Sequence, residues 1–314
     1  MNRRDFIVGA LCAGSGGAGC SSLRMADGQD ENLSVFISDL HVGGENKKLA
    51  YTGPQLERVV DEILAMRPLP KRVICFGDIA MSFGLPVDYV ASKPVLKRIE
   101  AAGIELHMTM GNHDRRAAFF KEWPEYLDRQ VVPGRCTRVV DLGHADLVLL
   151  DALKGADDRG LDSMGPVDGL IDGEQLKWLK DWMSHAKRPF FLGSHQFRDL
   201  TIEGISRPLR ILEGVKHAVG WIYGHDHAWC PDIGVASWKK HSILPTLALP
   251  STGLWGDIGY VVFRTDEDGA TAELVQSDFY FQTPTSYAVR PRFWTARVRE
   301  NQGKSTRFVF EKGC

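Results

Sequence analysis

Six cysteines in 314 residues, Cys12, Cys20, Cys75, Cys136, Cys230 and Cys314, include no CxxC pair, so neither a zinc knuckle nor a disulfide framework is indicated. Neither sign of charge is in excess: 38 Lys and Arg face 40 Asp and Glu, a formal charge of −2, with no long run of one sign. A dedicated nucleic-acid binder needs a basic face, so a small-molecule partner is expected instead. A Pro/Ser-rich linker is missing, as is any repeat at a short fixed period, and a layered α/β fold of this size can be one unit, so one domain is expected. What is present, 44% hydrophobic, 25% charged and 10% aromatic residues, excludes disorder, collagen and coiled coil.

Residues 1–31 read differently from the rest. Met1 to Ser22 place Arg3 and Arg4 before Phe6, then a short apolar stretch from Phe6 to Ala13, then a small-residue run ending at Cys20. This is the pattern of an export signal, too short to persist as a membrane-spanning helix. Arg-Arg-x-Phe resembles the twin-arginine signal, a bacterial route for proteins already folded, which implies the periplasm or cell envelope. The alternative is an ordinary Sec signal whose arginines merely supply charge. Gly17-Ala18-Gly19-Cys20 resembles a lipobox, with Gly17 where Leu is usual, so Cys20 is a candidate lipidation site and a lipid there the one expected membrane contact. Ser21 to Glu31 would then be a polar tether and residues 32–314 the folded domain.

From Leu33 apolar runs alternate with amphipathic stretches. Strands are expected at Ser34–Ile37, Arg72–Phe76, Glu105–Met110, Asp146–Leu150, Pro189–Leu192 and Val219–Tyr223. Helices are expected at Pro54–Met66 with Thr52 as N-cap, at Val87–Ala102 with a break or kink near Pro94 and a stop at Gly103, at Glu174–Ala186 with Asp172 and Gln175 as a capping box, and at Pro208–Ala218. Beyond Leu244 only strands are expected: Pro245–Leu249, Gly259–Arg264, Thr271–Phe281 and a hairpin from Phe293 to Phe310 turning at Asn301-Gln302-Gly303. The fold class is α/β, two sheets covered by helices. Lys154 to Gly173, rich in Gly and Asp, reads as an irregular loop at the rim of a site or simply on the surface.

The chemistry-bearing residues share one kind of place. Asp39 and His41 follow the first strand, Asp78 the second, Asn112, His113 and Asp114 the third; His195 follows Phe190-Phe191-Leu192, and His225 and His227 follow Trp221-Ile222-Tyr223. In an open α/β sheet the C-terminal strand edge is where ligands bind. Two aspartates, one asparagine and four histidines supply hard oxygens and imidazoles without a thiolate, a set suited to Mn, Fe or Zn. Seven ligands exceed what one tetrahedral ion accepts. With one carboxylate bridging, two ions would share a water that attacks phosphorus in an in-line displacement.

Asp39-x-His41, Gly77-Asp78, Gly111-Asn112-His113-Asp114, Ser194-His195 and Gly224-His225-Asp226-His227, in this order, resemble the calcineurin-like metallophosphoesterases. The resemblance covers roughly Val35 to Ala228 and implies a four-layer αββα sandwich of two mixed sheets, residues 244–314 completing the second. It implies that Asp39, His41 and His227 bind one metal, that Asn112, His195 and His225 bind the other, and that Asp78 bridges them. His113 would be the general acid protonating the leaving oxygen, with Asp114 holding its other nitrogen.

Met81 stands where the purple acid phosphatases of this family carry tyrosine, so an Fe(III)-tyrosinate centre is not expected. Relatives often place a second histidine or a proline near the position of His195, and this chain has Gly-Ser-His-Gln there. His107, His144, His185, His217 and His241 match no motif and read as surface or core residues. A phosphomonoester brings about two negative charges and a diester one, so a monoester site needs cations beyond the metals. The candidates are Arg115, Arg116 and Arg198, whose alternative reading is that of solvated residues opening a helix or loop. The resulting expectation is an exported phosphoester hydrolase leaning to small diesters, with a phosphomonoesterase as the alternative, and a metal-free scaffold or a nuclease behind it.

Overall fold

In the computed structural model, which describes residues 28–43, 52–155, 166–232, 244–253, 256–276 and 303–310, the first apolar run opens a strand earlier than the sequence pattern suggests. β1 spans Gln29–Ile37, so Gln29 to Glu31 belong to the sheet and not to a tether; their backbone pairs with Leu69 and Pro70 of β2, Leu69–Cys75. Between them α1, Thr52–Leu64, buries Leu56, Val59, Val60 and Ile63, the stripe that its 3.6-residue periodicity dictates. Thr52 is already helical and does not stand outside as a cap. α2, Pro86–Ala101, continues through Pro94 without a break. The chain then turns at Gly103, φ 79°, into β3, Glu105–Met108, where the left-handed backbone favours a residue without Cβ.

A helix the sequence reading missed, α3, Arg116–Glu122, follows the third strand. β4, Arg138–Asp141, also unforeseen, pairs antiparallel with β5, Asp146–Leu149. The Gly-rich stretch after it contributes β6, Gly169–Ile171, paired with β8, Leu200–Ile202; residues 156–165 lie outside the described part. α4, Gly173–His185, forms as expected, but Asp172 makes no side-chain cap. Gln175 is no capping partner either: it is buried and its amide hydrogen-bonds Thr137 and the backbone of Asp151, a core requirement that overrides the local motif. β7, Phe190–Ser194, and β9, Ala218–Tyr223, continue the second sheet in parallel with β5. The helix expected at Pro208–Ala218 shrinks to a 3-10 turn, Pro208–Leu212, because Gly214 takes φ 74° and ends the helical path.

After β10, Cys230–Asp232, and β11, Thr246–Ala248, come β12, Gly259–Asp266, β13, Gly269–Gln276, and β14, Ser305–Val309. One six-stranded sheet has the order β14-β13-β12-β1-β2-β3 and the other β10-β11-β9-β7-β5-β4. The C-terminal strands therefore mostly complete the first sheet: β12 lies antiparallel beside β1, and only β10 and β11 join the second. β13 is the antiparallel partner of β14; the expected partner from Phe293 lies outside the described residues, as does His241. Phe36, Ile74, Phe76 and Phe263 from the first sheet meet Leu147, Phe191 and Ile222 from the second in a shared core, Phe36 stacking on Phe263 at 4.6 Å. α1 to α3 cover the outer face of the first sheet and α4 that of the second. The result is the expected four layers, with the ends of β1, β2, β3, β7 and β9 on one rim.

Candidate metal centre

Parallel pairing continues beyond the strand ends and brings the first two motif loops side by side. Asp39 N–H donates to Gly77 O at 3.0 Å, His41 N–H to Asp78 O at 2.9 Å and Val42 N–H to Ile79 O at 3.0 Å. The chain must turn sharply here, and Asp39, His41, Asp78, His225 and His227 all have φ between 46° and 68°. A left-handed backbone costs free energy for a residue with a Cβ and concentrates at functional sites. Two glycines make room. A Cβ on Gly111 would lie 2.1 Å from Asp78 Oδ1, and one on Gly224 2.1 Å from Ser38 Oγ.

The seven expected ligands converge. Asp39 Oδ1, His41 and His227 form one group, with His227 Nε2 3.1 Å from Asp39 Oδ1 and 3.3 Å from His41 Nε2. Asp78, His195 and His225 form another, and Asn112 Oδ1 is 3.2 Å from His195 Nε2. Asp78 Oδ2 lies between the groups, 3.1 Å from His195 Nε2, 3.7 Å from His41 Nε2 and 3.9 Å from His113 Nε2. His113, a fifth of its side chain exposed, stands at the open side, its ring edge-on to His41 at 4.8 Å.

Among the described residues, the atoms that these groups turn toward one another are mainly acceptors. His41 Nδ1 donates to Met81 O at 3.0 Å, His195 Nδ1 to Phe76 O at 2.8 Å and His113 Nδ1 to Ser82 O at 3.1 Å. A carbonyl on Nδ1 fixes the tautomer that leaves a lone pair on Nε2. Those lone pairs point at two carboxylates and the amide oxygen of Asn112, acceptor against acceptor. Asp39 Oδ1 is buried and makes no hydrogen bond, while Oδ2 accepts from Ser38 Oγ at 2.5 Å and His225 N–H at 3.1 Å. A buried set of acceptors is tolerable only around cations, and oxygen with imidazole suits borderline metal ions.

The charges agree. Burial alone would raise the pKa of Asp39 and Asp78, but the imidazoles of His227 and His195 hold the first, and those of His195 and His113 the second, below the carboxylate range. Burial lowers His41 to about 4, helped by His227 and His113. At His195 burial is outweighed by Asp78 and Asp39, which lift it to about 9. Burial, with His195 beside it, lowers His225.

Three further expectations fail on geometry. Asp114 does not hold His113: it is wholly buried and accepts from Ile79 N–H at 3.3 Å, Ala80 N–H at 3.0 Å, Gly111 N–H at 2.9 Å and Tyr89 Oη at 3.1 Å, while Ser82 O takes the place at His113. Burial and the Asp78 charge lift Asp114 to about 6 against those backbone donors. Arg115 is buried and its Nε donates to Phe83 O at 2.6 Å. Arg116 turns to Asp151 at 2.7 Å. Both side chains are engaged by these partners. Arg198 stays at the rim, largely exposed, paired with Asp226 at 2.9 Å.

Other contributors carry no sequence signature. Ser251 Oγ donates to Asp39 O at 3.0 Å, Thr252 N–H to Ser38 O at 2.7 Å and Asp257 N–H to His227 O at 2.9 Å, so C-terminal residues hold both the Asp39 loop and the His227 loop.

Among solved structures, a dimetal phosphatase from Danio rerio is 16% identical to this chain, with a TM-score of 0.59 over 77% of this chain and 95% of that one. A sulfate thiohydrolase, SoxB, from Thermus thermophilus is 13% identical, with a TM-score of 0.46 over 85% of this chain and 60% of that one. At such identities the first is a likeness of fold. No curated protein matches. The family model described as calcineurin-like phosphoesterase matches residues 34–229. Because that match runs through every strand-end motif from Asp39 to His227 and over more than half of the chain, the protein belongs to the calcineurin-like phosphoesterase family.

Proposed function

We propose that the chain carries out metal-dependent phosphoester hydrolysis with two ions, one held by Asp39, His41 and His227, the other by Asn112, His195 and His225, with Asp78 between them. The observation that carries the reading is the position of Asp78 Oδ2, within 3.1–3.9 Å of imidazole nitrogens from both groups. When bound, the ions supply Lewis acidity toward the phosphoryl oxygens and lower the pKa of a water. The remaining work falls to the chain. Met81 O, Phe76 O and Ser82 O keep three imidazoles in one tautomer. His113, on the open side, is placed to give a proton to the leaving oxygen through Nε2, its Nδ1–H held by Ser82. Metal identity among Mn, Fe and Zn follows from supply as much as from this donor set.

The substrate reading is a small organic diester. Supporting it, the two arginines beside His113 are committed elsewhere, to Phe83 O and to Asp151, and Arg198 is paired with Asp226. Among the described residues, a dianionic monoester would meet little cationic charge beyond the metals. The test compares kcat/KM for bis(p-nitrophenyl) phosphate and p-nitrophenyl phosphate with the Mn-loaded protein. Preference for the diester is expected; a clear preference for the monoester, lost in Arg198→Ala, overturns the diester reading and makes Arg198 the phosphate clamp.

The export reading is likewise proposed, on Arg3, Arg4 and Cys20, which lie outside the described residues: delivery to the periplasm by the twin-arginine route, with a lipid on Cys20. Among the described residues no helix is long and apolar enough to cross a membrane.

A further inference from the structure

Arg116 stands four residues after Asn112 and three after His113, at the start of α3, and its guanidinium crosses to the other sheet. Nε donates to Asp151 Oδ2 at 2.8 Å and Nη2 to Asp151 Oδ1 at 2.7 Å. Two parallel bonds from a planar fork specify direction as well as distance. Asp151, just beyond β5, is fully buried; burial would raise its pKa, and the Arg116 charge holds it below the carboxylate range. The same carboxylate accepts from Cys136 N–H at 2.9 Å and Leu153 N–H at 3.1 Å. Gln175 pins the Asp151 backbone from both sides, Nε2 to its carbonyl at 2.9 Å and Oε1 from its N–H at 3.0 Å.

A buried ion pair is weak ground for a claim of stability, because desolvation cancels much of the attraction; what such a pair does well is fix one geometry. The geometry fixed here has a direct relation to the centre. His195 and His225 follow strands of the second sheet, and Asn112 follows β3 of the first, so their group closes only if the two rims keep their spacing. On the side of Asp39 and His227 that spacing is set by the bonds of Ser251, Thr252 and Asp257 to Asp39, Ser38 and His227. On the side of Asn112, the Arg116–Asp151 pair bridges the rims beside the bond from Thr109 Oγ1 to Leu150 O at 2.8 Å.

We infer that the Arg116–Asp151 pair is a positioning clamp that sets Asn112 against His195 and His225 and holds His113 at the open edge. The inference rests on the two-ion assignment above. Residues that orient metal ligands from outside typically change affinity by about 10- to 100-fold when replaced. The effect should fall on one of the two ions, since Asp39, His41 and His227 have their own tie.

The experiment titrates metal-free full-length protein with Mn(II) by calorimetry, for the wild type, Asn112→Ala, Arg116→Lys and Arg116→Gln. Asn112→Ala identifies which binding step belongs to its group. Arg116→Lys keeps the charge and loses the paired bonds. It should weaken that same step about tenfold or more, and leave the other within about threefold. Arg116→Gln provides the same reading if the lysine variant folds poorly. A second readout is the rate ratio between nitrophenolate and alkyl leaving groups, which should rise in Arg116→Lys as His113 loses its place. Wild-type affinities for both ions with an unchanged ratio, or equal weakening of both steps, overturn the clamp while leaving the two-ion reading intact. A wild type that binds fewer than two ions overturns that reading, and the clamp with it.

Discussion

Asp114→Ala is the substitution that separates a scaffolding carboxylate from a catalytic one. The wild-type side chain accepts from three backbone N–H groups, of Ile79, Ala80 and Gly111, and from Tyr89 Oη. Alanine strands the three buried N–H groups, at about 1–2 kcal/mol each, or roughly 3–6 kcal/mol together. Opposing this is the cost of the buried charge. With a folded pKa of about 6, above the unfolded value, the contribution of Asp114 is complete below about pH 4 and is lost as pH rises through 6. Between pH 4.5 and pH 8 that loss is about 2 kcal/mol, taking ~1.4 kcal/mol per pH unit for about one and a half units. Urea unfolding of metal-free protein at both pH values measures the effect: the variant should be less stable than the wild type at each, and the gap should narrow by about 2 kcal/mol at the higher pH. The loops of Asp78 and Asn112 hang on the same carboxylate, so Mn(II) affinity should fall with stability. A variant within about 1 kcal/mol of wild type at both pH values, yet with the leaving-group pattern of a His113 variant, would refute the reasoning and restore Asp114 as the partner of His113.

Three further outcomes are expected. Asp78→Ala should lose at least one ion and nearly all hydrolysis while staying folded, because its Oδ2 sits between both groups on the rim; metal analysis showing two ions per chain contradicts the bridging role. His113→Ala should slow alkyl ester substrates by about 100-fold or more and nitrophenyl esters only slightly, since nitrophenolate leaves without a proton; equal losses on both remove the acid role. Arg3→Lys with Arg4→Lys should leave the precursor in the cytoplasm, and unchanged envelope fractionation would favour the Sec route.

The centre was legible because its code is local. A polar residue placed directly after an apolar strand of a parallel sheet must emerge at the rim, and five such placements in one chain can only meet there; residue type then names metal chemistry. The order of strands was not legible in the same way. β12 to β14 alternate like any half-buried strand, and nothing in that alternation says which sheet edge they join; the apolar faces of Phe263 and Phe308, packed against Phe36 and Phe191 in the shared core, decided it. Asp172 and Gln175 satisfy a capping pattern, but a buried amide answers first to the nearest unpaired group, here the backbone of Asp151. Asp114, Arg115 and Arg116 adjoin His113 in sequence, yet the tight turn at Gly111 to Arg115 sends each side chain to a different wall. Sequence by itself determined which atoms this protein can offer to a metal, because composition and strand position are properties of short segments. Only the tertiary structure decided which atoms face the centre and which hold it in place, because a buried donor or acceptor chooses its partner from whatever the packed chain brings within about 3 Å.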